Sequence, residues 1–218
     1  MRNRKKFIVA IDQGTTSSRA ILFNTAGVPK FKSQLEFKQY FPKNGWVEHN
    51  PEEIWKITRK VLINVINKSK KLKGRILAIG ITNQRETTVL WDRITGKPVY
   101  NAIVWQDRRT ADFCNKFKSK KKERIINKKT GLLIDPYFSG TKIKWIIENV
   151  GKAKKLLKKK QLLFGTIDTF LLWRLTKGVA HVTDATNASR TMLYNITTNN
   201  WDNQILKSLK IPTHILPI

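Results

Sequence analysis

Apolar residues near the start of the chain cluster in short runs separated by small polar residues. Phe7–Ile11 and Ala20–Phe23 are continuous apolar stretches, and apolar residues alternate with polar ones from 31 to 37. Such runs are typical of β-strands, and the small polar segment Thr25–Gly27 is typical of a turn. The first 40 residues are therefore predicted to form a three-stranded antiparallel meander.

A helix with clear boundaries is predicted after this meander. Asn50 is a favourable N-cap residue, Pro51 suits the first helical position, and apolar residues recur at helical spacing as far as Ile66. Ile76–Ile81 is apolar throughout, which is typical of a strand buried on both faces. The order β-β-β-α-β, with the last strand central, is that of the ribonuclease-H-like half-domain of actin-like ATPases. The predicted fold class is thus α/β, with a mixed sheet and flanking helices.

The rest of the chain reads as a hairpin followed by helices. Thr87–Trp91 and Val99–Trp105 are predicted to pair around a turn at Asp92–Pro98. Cys114 is expected to be a buried helix residue. Helices are predicted at 107–121, 142–149, 166–176 and 202–209.

Composition indicates a folded chain in spite of its charge. Of 218 residues, 40% are hydrophobic and 10% aromatic, although Lys and Arg give a formal net charge of +28. No apolar run approaches the roughly 20 residues of a membrane span, and the apolar stretch after the basic N-terminal flank is shorter than a signal-peptide core. A single cysteine excludes an internal disulfide. We therefore expect a cytoplasmic globular protein that does not engage the membrane.

Positive charge is concentrated in one part of the chain. Residues 115–160 hold 16 Lys or Arg and 3 Asp or Glu. A nucleic-acid surface and a solvated helical face are the two interpretations. The second is favoured, because only 12 of the 43 basic residues are Arg and no aromatic residues alternate with the Lys runs. Nucleic acid is not an expected partner.

Four consecutive hydroxyl residues follow the first predicted strand. Gly14 permits a tight turn, and Thr15 to Ser18 supply hydroxyl groups, both of which suit phosphate binding. Asp12, at the end of a buried strand, suits a hydrated Mg²⁺. The segment is not a P-loop, and an ordinary polar hairpin turn is the alternative.

Two further segments suit a small hydroxylated ligand. Arg85 and Glu86 follow the second buried strand, and such a pair can both donate to and accept from the vicinal hydroxyls of a polyol. The alternative is a surface salt bridge on a turn. Tyr137 offers a phenol and a flat face in a loop that leads into a helix, where a core aromatic is the alternative.

Seven segments, in register from Phe7 to the end of the chain, resemble the glycerol kinases of the carbohydrate kinase family. They are Asp12–Arg19, Gly45–His49, Gly80–Thr88, Asn101–Arg109, Ile134–Lys142, Phe164–Thr169 and Thr183–Thr191. The resemblance implies an ATP- and Mg²⁺-dependent reaction that converts glycerol to sn-glycerol 3-phosphate and releases ADP. It also implies a set of ligand contacts: the nucleotide phosphates on Thr15, Thr16, Ser17 and Arg19, the metal on Asp12 through water, and glycerol on Arg85, Glu86, Trp105 and Tyr137.

The resemblance also has consequences for domain organisation. Residues 1–218 correspond to the N-terminal glycerol-binding and phosphate-loop domain, incomplete at its C-terminus and without the second nucleotide-binding domain. The catalytic aspartate of the family, in a Gly-Asp-Gln context, is expected beyond residue 218, so this chain alone is expected to be inactive. Another polyol or sugar kinase of the same family and a non-catalytic remnant of a decaying gene are the alternatives. A homo-oligomer is compatible with the sequence.

Overall fold

The computed structural model describes residues 5–218. This part of the chain divides into two compact units. Unit 1 comprises the residues up to Gln39 together with Glu52–Gln84, and unit 2 comprises Tyr40–Pro51 and Arg85–Ile218.

Strands predominate in the first part of the described chain, and most of the helices follow residue 110. The strands are β1 (Lys5–Gln13), β2 (Ser17–Asn24), β3 (Pro29–Glu36), β4 (Gln39–Tyr40), β5 (Glu48–His49), β6 (Gly74–Asn83), β7 (Val89–Asp92), β8 (Ala102–Ile103), β9 (Leu162–Gly165), β10 (Tyr194–Asn195) and β11 (Asn200–Trp201). The α-helices are α1 (Pro51–Lys71), α2 (Ala111–Phe117), α3 (Lys120–Thr130), α4 (Ser139–Asn149), α5 (Gly151–Lys158), α6 (Ile167–Leu175), α7 (Ala185–Ala188) and α8 (Asn203–Leu209). No helix within residues 5–218 is both long and apolar enough to cross a bilayer.

Unit 1 is a four-stranded mixed sheet with one long helix. The strand order is β3-β2-β1-β6, in which the first three strands are antiparallel and β6 is parallel to β1. Helix α1 packs against this sheet, where Thr58 Oγ1 donates to Ser18 Oγ at 2.9 Å and Asn64 Nδ2 donates to Ser33 Oγ at 3.0 Å. The predicted meander and the β-β-β-α-β order are thus confirmed.

The prediction that the strand at residues 76–81 is central and buried on both faces is wrong. Strand β6 lies at the edge of the sheet, and the side chains of Leu77 and Ile79 are 47% and 44% exposed. Ile8 on the adjacent β1 is also exposed. The burial of a strand's side chains depends on what packs over the faces of the sheet, and no element within the described residues covers these side chains of β6.

The predicted hairpin in unit 2 forms only in part. The turn is present, since Asp92 N donates to the Lys97 carbonyl at 3.0 Å, and Thr88 and Ile103 form an isolated antiparallel bridge. Along its length, however, β7 pairs with β9, and β8 pairs with β5. All four residues of β9 are buried, so this apolar strand offers β7 a better partner than the returning chain.

The helices of unit 2 follow the predicted pattern in part. The predictions at 142–149, 166–176 and 202–209 match α4, α6 and α8, whereas α5, α7 and most of α3 were not predicted. The predicted helix at 107–121 is divided into α2 and the start of α3, which Ser119 Oγ caps by accepting from Lys122 N. Cys114 is buried on α2, as predicted. The lysines of α5 are exposed. Core side chains come from several elements, among them Leu90, Ile103, Ile126, Ile143, Phe164, Leu193 and Leu206.

Candidate active site

In unit 1, the hydroxyl-rich segment forms the turn between β1 and β2. Gly14 N donates to the Ser17 carbonyl at 2.9 Å, which leaves Thr15 and Thr16 at the tip. The tight turn expected at Gly14 is present, although this glycine does not have a left-handed backbone and its own N–H is engaged within the hairpin. Asp12 and Arg19 face each other across the two strands, and the Asp12 carboxylate accepts from the Arg19 guanidinium.

The side chains of this turn differ in what they could offer a ligand. Thr16 is exposed, and Thr15 and Ser17 are half-buried. Ser18 is buried and occupied with Thr58. Arg19 Nε is buried and has no hydrogen-bond acceptor among residues 5–218. The turn therefore combines the hydroxyl groups of Thr15, Thr16 and Ser17 with an arginine that pairs with Asp12 through its guanidinium and retains one Nε donor without an acceptor.

Two glutamine side chains support this turn, and sequence analysis missed both. Gln13 Nε2 donates to the Gly14 carbonyl at 2.7 Å, and Gln84 Nε2 donates to Gln13 Oε1 at 3.1 Å. The backbone N–H of Gln84 also donates to the Gln13 carbonyl at 3.0 Å. These bonds join the ends of the parallel strands β1 and β6, and they fix the position where the turn leaves the sheet.

In unit 2, Glu86 pairs with an arginine far along the chain. Its side chain is buried, and Arg190 Nε donates to Glu86 Oε1 at 2.7 Å. The Arg190 guanidinium also lies 5.8 Å from the ring centroid of Tyr137 and 5.2 Å from that of Phe138. Arg85, in contrast, is exposed and forms no ion pair among the described residues. The two adjacent residues thus face different environments, and the ionic partner of Glu86 is Arg190, not the Arg85 of the alternative salt bridge.

Tyr137, whose ring lies against Arg190 of this ion pair, also packs against Trp105. The Trp105 and Tyr137 rings are 5.6 Å apart at an interplanar angle of 59°, and both are half-buried. Tyr137 is held at the start of α4 because its backbone N–H donates to Asp135 Oδ1 at 2.8 Å. Unit 2 therefore brings together Glu86, Trp105 and Tyr137, with Arg190 in contact with both Glu86 and Tyr137.

A second charged cluster in unit 2 is closed to ligands. The Arg109 side chain is fully buried and pairs with Glu48 at 2.7 Å and Asp107 at 2.8 Å. Its guanidinium lies 3.8 Å from the ring centroid of Trp46 and 4.7 Å from that of Trp145. Burial opposes the charged form, but the hydrogen bonds to the two carboxylates outweigh it and raise the pKa of Arg109. This cluster links the Gly45–His49 and Asn101–Arg109 segments through buried side chains.

These features coincide with a family match over nearly the whole chain. Residues 7–218 match the FGGY family of carbohydrate kinases, N-terminal domain. The chain belongs to this family.

Two curated relatives with high identity to the chain are glycerol kinases. The glycerol kinase of Geobacillus sp. (strain WCH70) is 57% identical over 213 residues, which is 98% of this chain and 43% of the relative. The glycerol kinase of Rhizobium meliloti (strain 1021) is 59% identical over 97% of this chain and 42% of the relative. The chain thus spans less than half the length of the glycerol kinases it matches.

Solved structures support the same fold. A crystal structure of Plasmodium falciparum glycerol kinase with ADP superposes with a TM-score of 0.93 at 39% identity, over 98% of this chain and 43% of that one. Gluconate kinase from Lactobacillus acidophilus gives 0.83 at 26% identity, over 98% and 41%. The α/β fold with a mixed sheet and flanking helices is therefore the ribonuclease-H-like, actin-like fold of these kinases.

Proposed function

We propose that this chain is the glycerol-binding and phosphate-binding N-terminal part of an ATP-dependent glycerol kinase. The reaction is transfer of the γ-phosphoryl group of ATP to glycerol, giving sn-glycerol 3-phosphate and ADP. The observation that carries the proposal is the arrangement of Glu86, oriented by Arg190, beside the Trp105 and Tyr137 rings. The names of the relatives at 57–59% identity point to the same substrate.

The chemistry of these side chains suits a short polyol. Arg190 engages Oε1 of Glu86, and no other donor among residues 5–218 contacts this carboxylate, so Oε2 remains as an acceptor for a substrate hydroxyl. The exposed Arg85 can donate to a second hydroxyl or to the product phosphate, and Tyr137 carries a phenol. Trp105 offers a flat apolar face for the carbon chain. A carboxylate accepts from a hydroxyl group and an arginine donates to one, so these two residue types together suit a polyol.

The turn between β1 and β2 suits the nucleotide phosphates and their metal. The Arg19 Nε without an acceptor is a donor that a phosphate oxygen would satisfy, and the hydroxyls of Thr15, Thr16 and Ser17 add neutral donors. The Asp12 carboxylate suits Mg²⁺, which prefers oxygen ligands and retains water, so we propose a contact through water. Bound Mg²⁺ would neutralise charge on the phosphates, while Arg19 orients the Asp12 carboxylate.

We further propose the domain organisation that the resemblance implies. In this proposal, residues 1–218 are the N-terminal region of the kinase, incomplete at its C-terminus, and the second nucleotide-binding domain and the catalytic aspartate belong to the part of the relatives' length that this chain does not cover. Cytoplasmic location and glycerol, ATP and ADP as ligands are part of this proposal.

A completed enzyme tests the proposal. The chain would be joined to the remaining part of the Geobacillus glycerol kinase, and ADP release would be followed as a function of glycerol and of ATP. Glu86→Ala should raise the KM for glycerol far more than that for ATP, because a lost buried hydrogen bond costs roughly 1–3 kcal/mol. Glu123→Ala, which removes a carboxylate on a solvated part of α3, is the matched control and should change neither constant. Equal effects of Glu86→Ala on the two constants would contradict the assignment.

A different substrate within the family is the second candidate, because the gluconate kinase structure shares the fold at 26% identity. Assays of the completed enzyme with glycerol, xylulose and gluconate separate the two. Preference for a longer substrate would favour the second candidate.

A further inference from the structure

Lys142 is fully buried in unit 2, which is rare for a lysine unless the ammonium group is paired. It lies on α4, and its Nζ donates to the backbone carbonyl of Tyr137 at 2.6 Å and to that of Glu86 at 3.1 Å. These are two of the residues assigned above to glycerol. One amino group thus contacts the backbone of both.

The Glu86 carbonyl is also held by Ser139 of the same helix, whose Oγ donates to it at 3.2 Å. The first turn of α4 therefore bonds to the Glu86 segment through two side chains. It also carries Tyr137 at its N-terminal approach. Any displacement of Lys142 would change the separation of the Glu86 and Tyr137 side chains.

The two hydrogen bonds of Lys142 can form whether its amino group is charged or neutral. Burial lowers the pKa of Lys142 to about 7, while Asp107, Glu86 and Asp135 favour its charged form and Arg109 opposes it. A neutral amine keeps two N–H donors and an ammonium group has three. Since Nζ contacts two carbonyls, both protonation states can satisfy them.

We propose that Lys142 is a positioning residue, which fixes the backbone of Glu86 relative to that of Tyr137 and thereby sets the geometry of polyol recognition. The proposal rests on the proposed function for its consequence in binding, but the clamp itself can be tested without any ligand. Lys144, two residues further along α4 and paired with Glu148, provides a matched control for the same substitution.

The first experiment uses the 218-residue chain and measures amide hydrogen exchange residue by residue. Lys142→Met keeps the length of the side chain but removes the donor. Amides at 86–88 and 137–139 should exchange at least about tenfold faster, whereas Lys144→Met should leave both segments unchanged. Unchanged exchange at both segments in Lys142→Met, or the same acceleration over all of unit 2, would overturn the clamp.

The second experiment uses the completed enzyme described above. Lys142→Met should raise the KM for glycerol by about 10-fold to 100-fold with little change in that for ATP, since misplacement by about 1 Å can cost that much. Lys142→Arg, which restores a donor, should recover part of the loss. Equal changes for both substrates would overturn the positioning role. If the unsubstituted enzyme ignores glycerol, the proposed function fails, and the exchange experiment still decides whether the clamp exists.

A measurement on the unsubstituted chain covers the case in which Lys142→Met does not fold. At pH 6 the Nζ protons of Lys142 should exchange slowly and show scalar coupling to the carbonyl carbons of Glu86 and Tyr137. A rapidly exchanging Lys142 signal without these couplings would contradict the proposal.

Discussion

Arg190 and Glu86 form an ion pair between residues 104 positions apart in the sequence. The Glu86 side chain is 7% exposed and that of Arg190 27% exposed, so the pair is largely removed from water. Arg190 also contacts the Tyr137 ring. A single side chain near the end of the described chain thus stabilises and orients the acidic group assigned to the substrate.

Loss of this arginine should leave a buried carboxylate without a partner. We expect Arg190→Ala to lower the free energy of unfolding by about 1.5–3 kcal/mol, the value of a hydrogen bond to a charged group. The measurement is urea unfolding of the 218-residue chain. In a double-mutant cycle with Glu86→Gln the coupling energy should be about 0.5–3 kcal/mol, and strictly additive effects would show that the pair contributes nothing.

Arg109 should be more sensitive than its neighbour Arg108. Arg109→Met removes the partner of two buried carboxylates, Glu48 and Asp107, and should cost about 3–5 kcal/mol. Arg108 pairs with Asp135 at 3.3 Å on the surface, so Arg108→Met should change stability by less than about 1 kcal/mol. Urea unfolding of both variants makes the comparison. Similar losses for the two would contradict the buried cluster.

His49 should make the chain sensitive to mild acid. Burial lowers the pKa of His49 from 6.5 to about 4, so between these values the unfolded chain binds a proton that the folded chain does not. Stability contributed by His49 is therefore lost as the pH falls from 6.5 towards 4, at up to about 1.4 kcal/mol per pH unit. His49→Gln should flatten this part of the stability profile. An identical slope in His49→Gln and the unsubstituted chain would show that other groups cause the acid sensitivity.

The exposed edge of the sheet in unit 1 should limit the solubility of the chain. Leu77 and Ile79 place apolar side chains on β6, and an apolar edge strand promotes association. The double substitution Leu77→Lys and Ile79→Lys should reduce self-association in sedimentation velocity. Val179→Lys, at a highly exposed position outside any strand, should not. Equal self-association of the two variants would exclude the apolar edge strand as the cause of association.

The 218-residue chain by itself should show little or no glycerol kinase turnover. The resemblance places the catalytic aspartate and the second nucleotide-binding domain outside it, and positioning, worth up to roughly 7–11 kcal/mol, is then mostly lost. The measurement is ADP release that depends on both glycerol and ATP, with Arg85→Ala as the control. Robust turnover that disappears in Arg85→Ala would overturn this expectation.

Local sequence patterns were enough to predict the elements whose structure depends on residues close together in the chain. The runs at Phe7–Ile11 and Ala20–Phe23 and the start of α1 at Pro51 could be predicted because strand alternation and helix caps act over a few residues. The pairing of Asp12 with Arg19 follows from the same hairpin. Lys142 could also have been noticed, since it lies three residues after Ser139 and four before Ile146, on the buried face of α4.

Long-range relationships could not be predicted in this way. Nothing in the spacing of Glu86 and Arg190 indicates that they meet, because their contact depends on how several helices of unit 2 pack. The apolar run at Ile76–Ile81 indicates a strand whose side chains suit contact with other apolar groups on both faces. It does not show whether the described chain supplies that contact, and for this reason the burial of β6 was predicted wrongly.

The single cysteine of the chain lies on α2 in the core of unit 2. Cys114 is 1% exposed, and burial raises the pKa of its thiol. Because alkylation requires an accessible thiolate, a reagent can label this side chain only while unit 2 is open. Labelling rates would then report the opening of unit 2 alone, whereas unit 1 has no thiol to respond. The natural sequence therefore already contains a site-specific probe of whether the two units unfold together or one at a time.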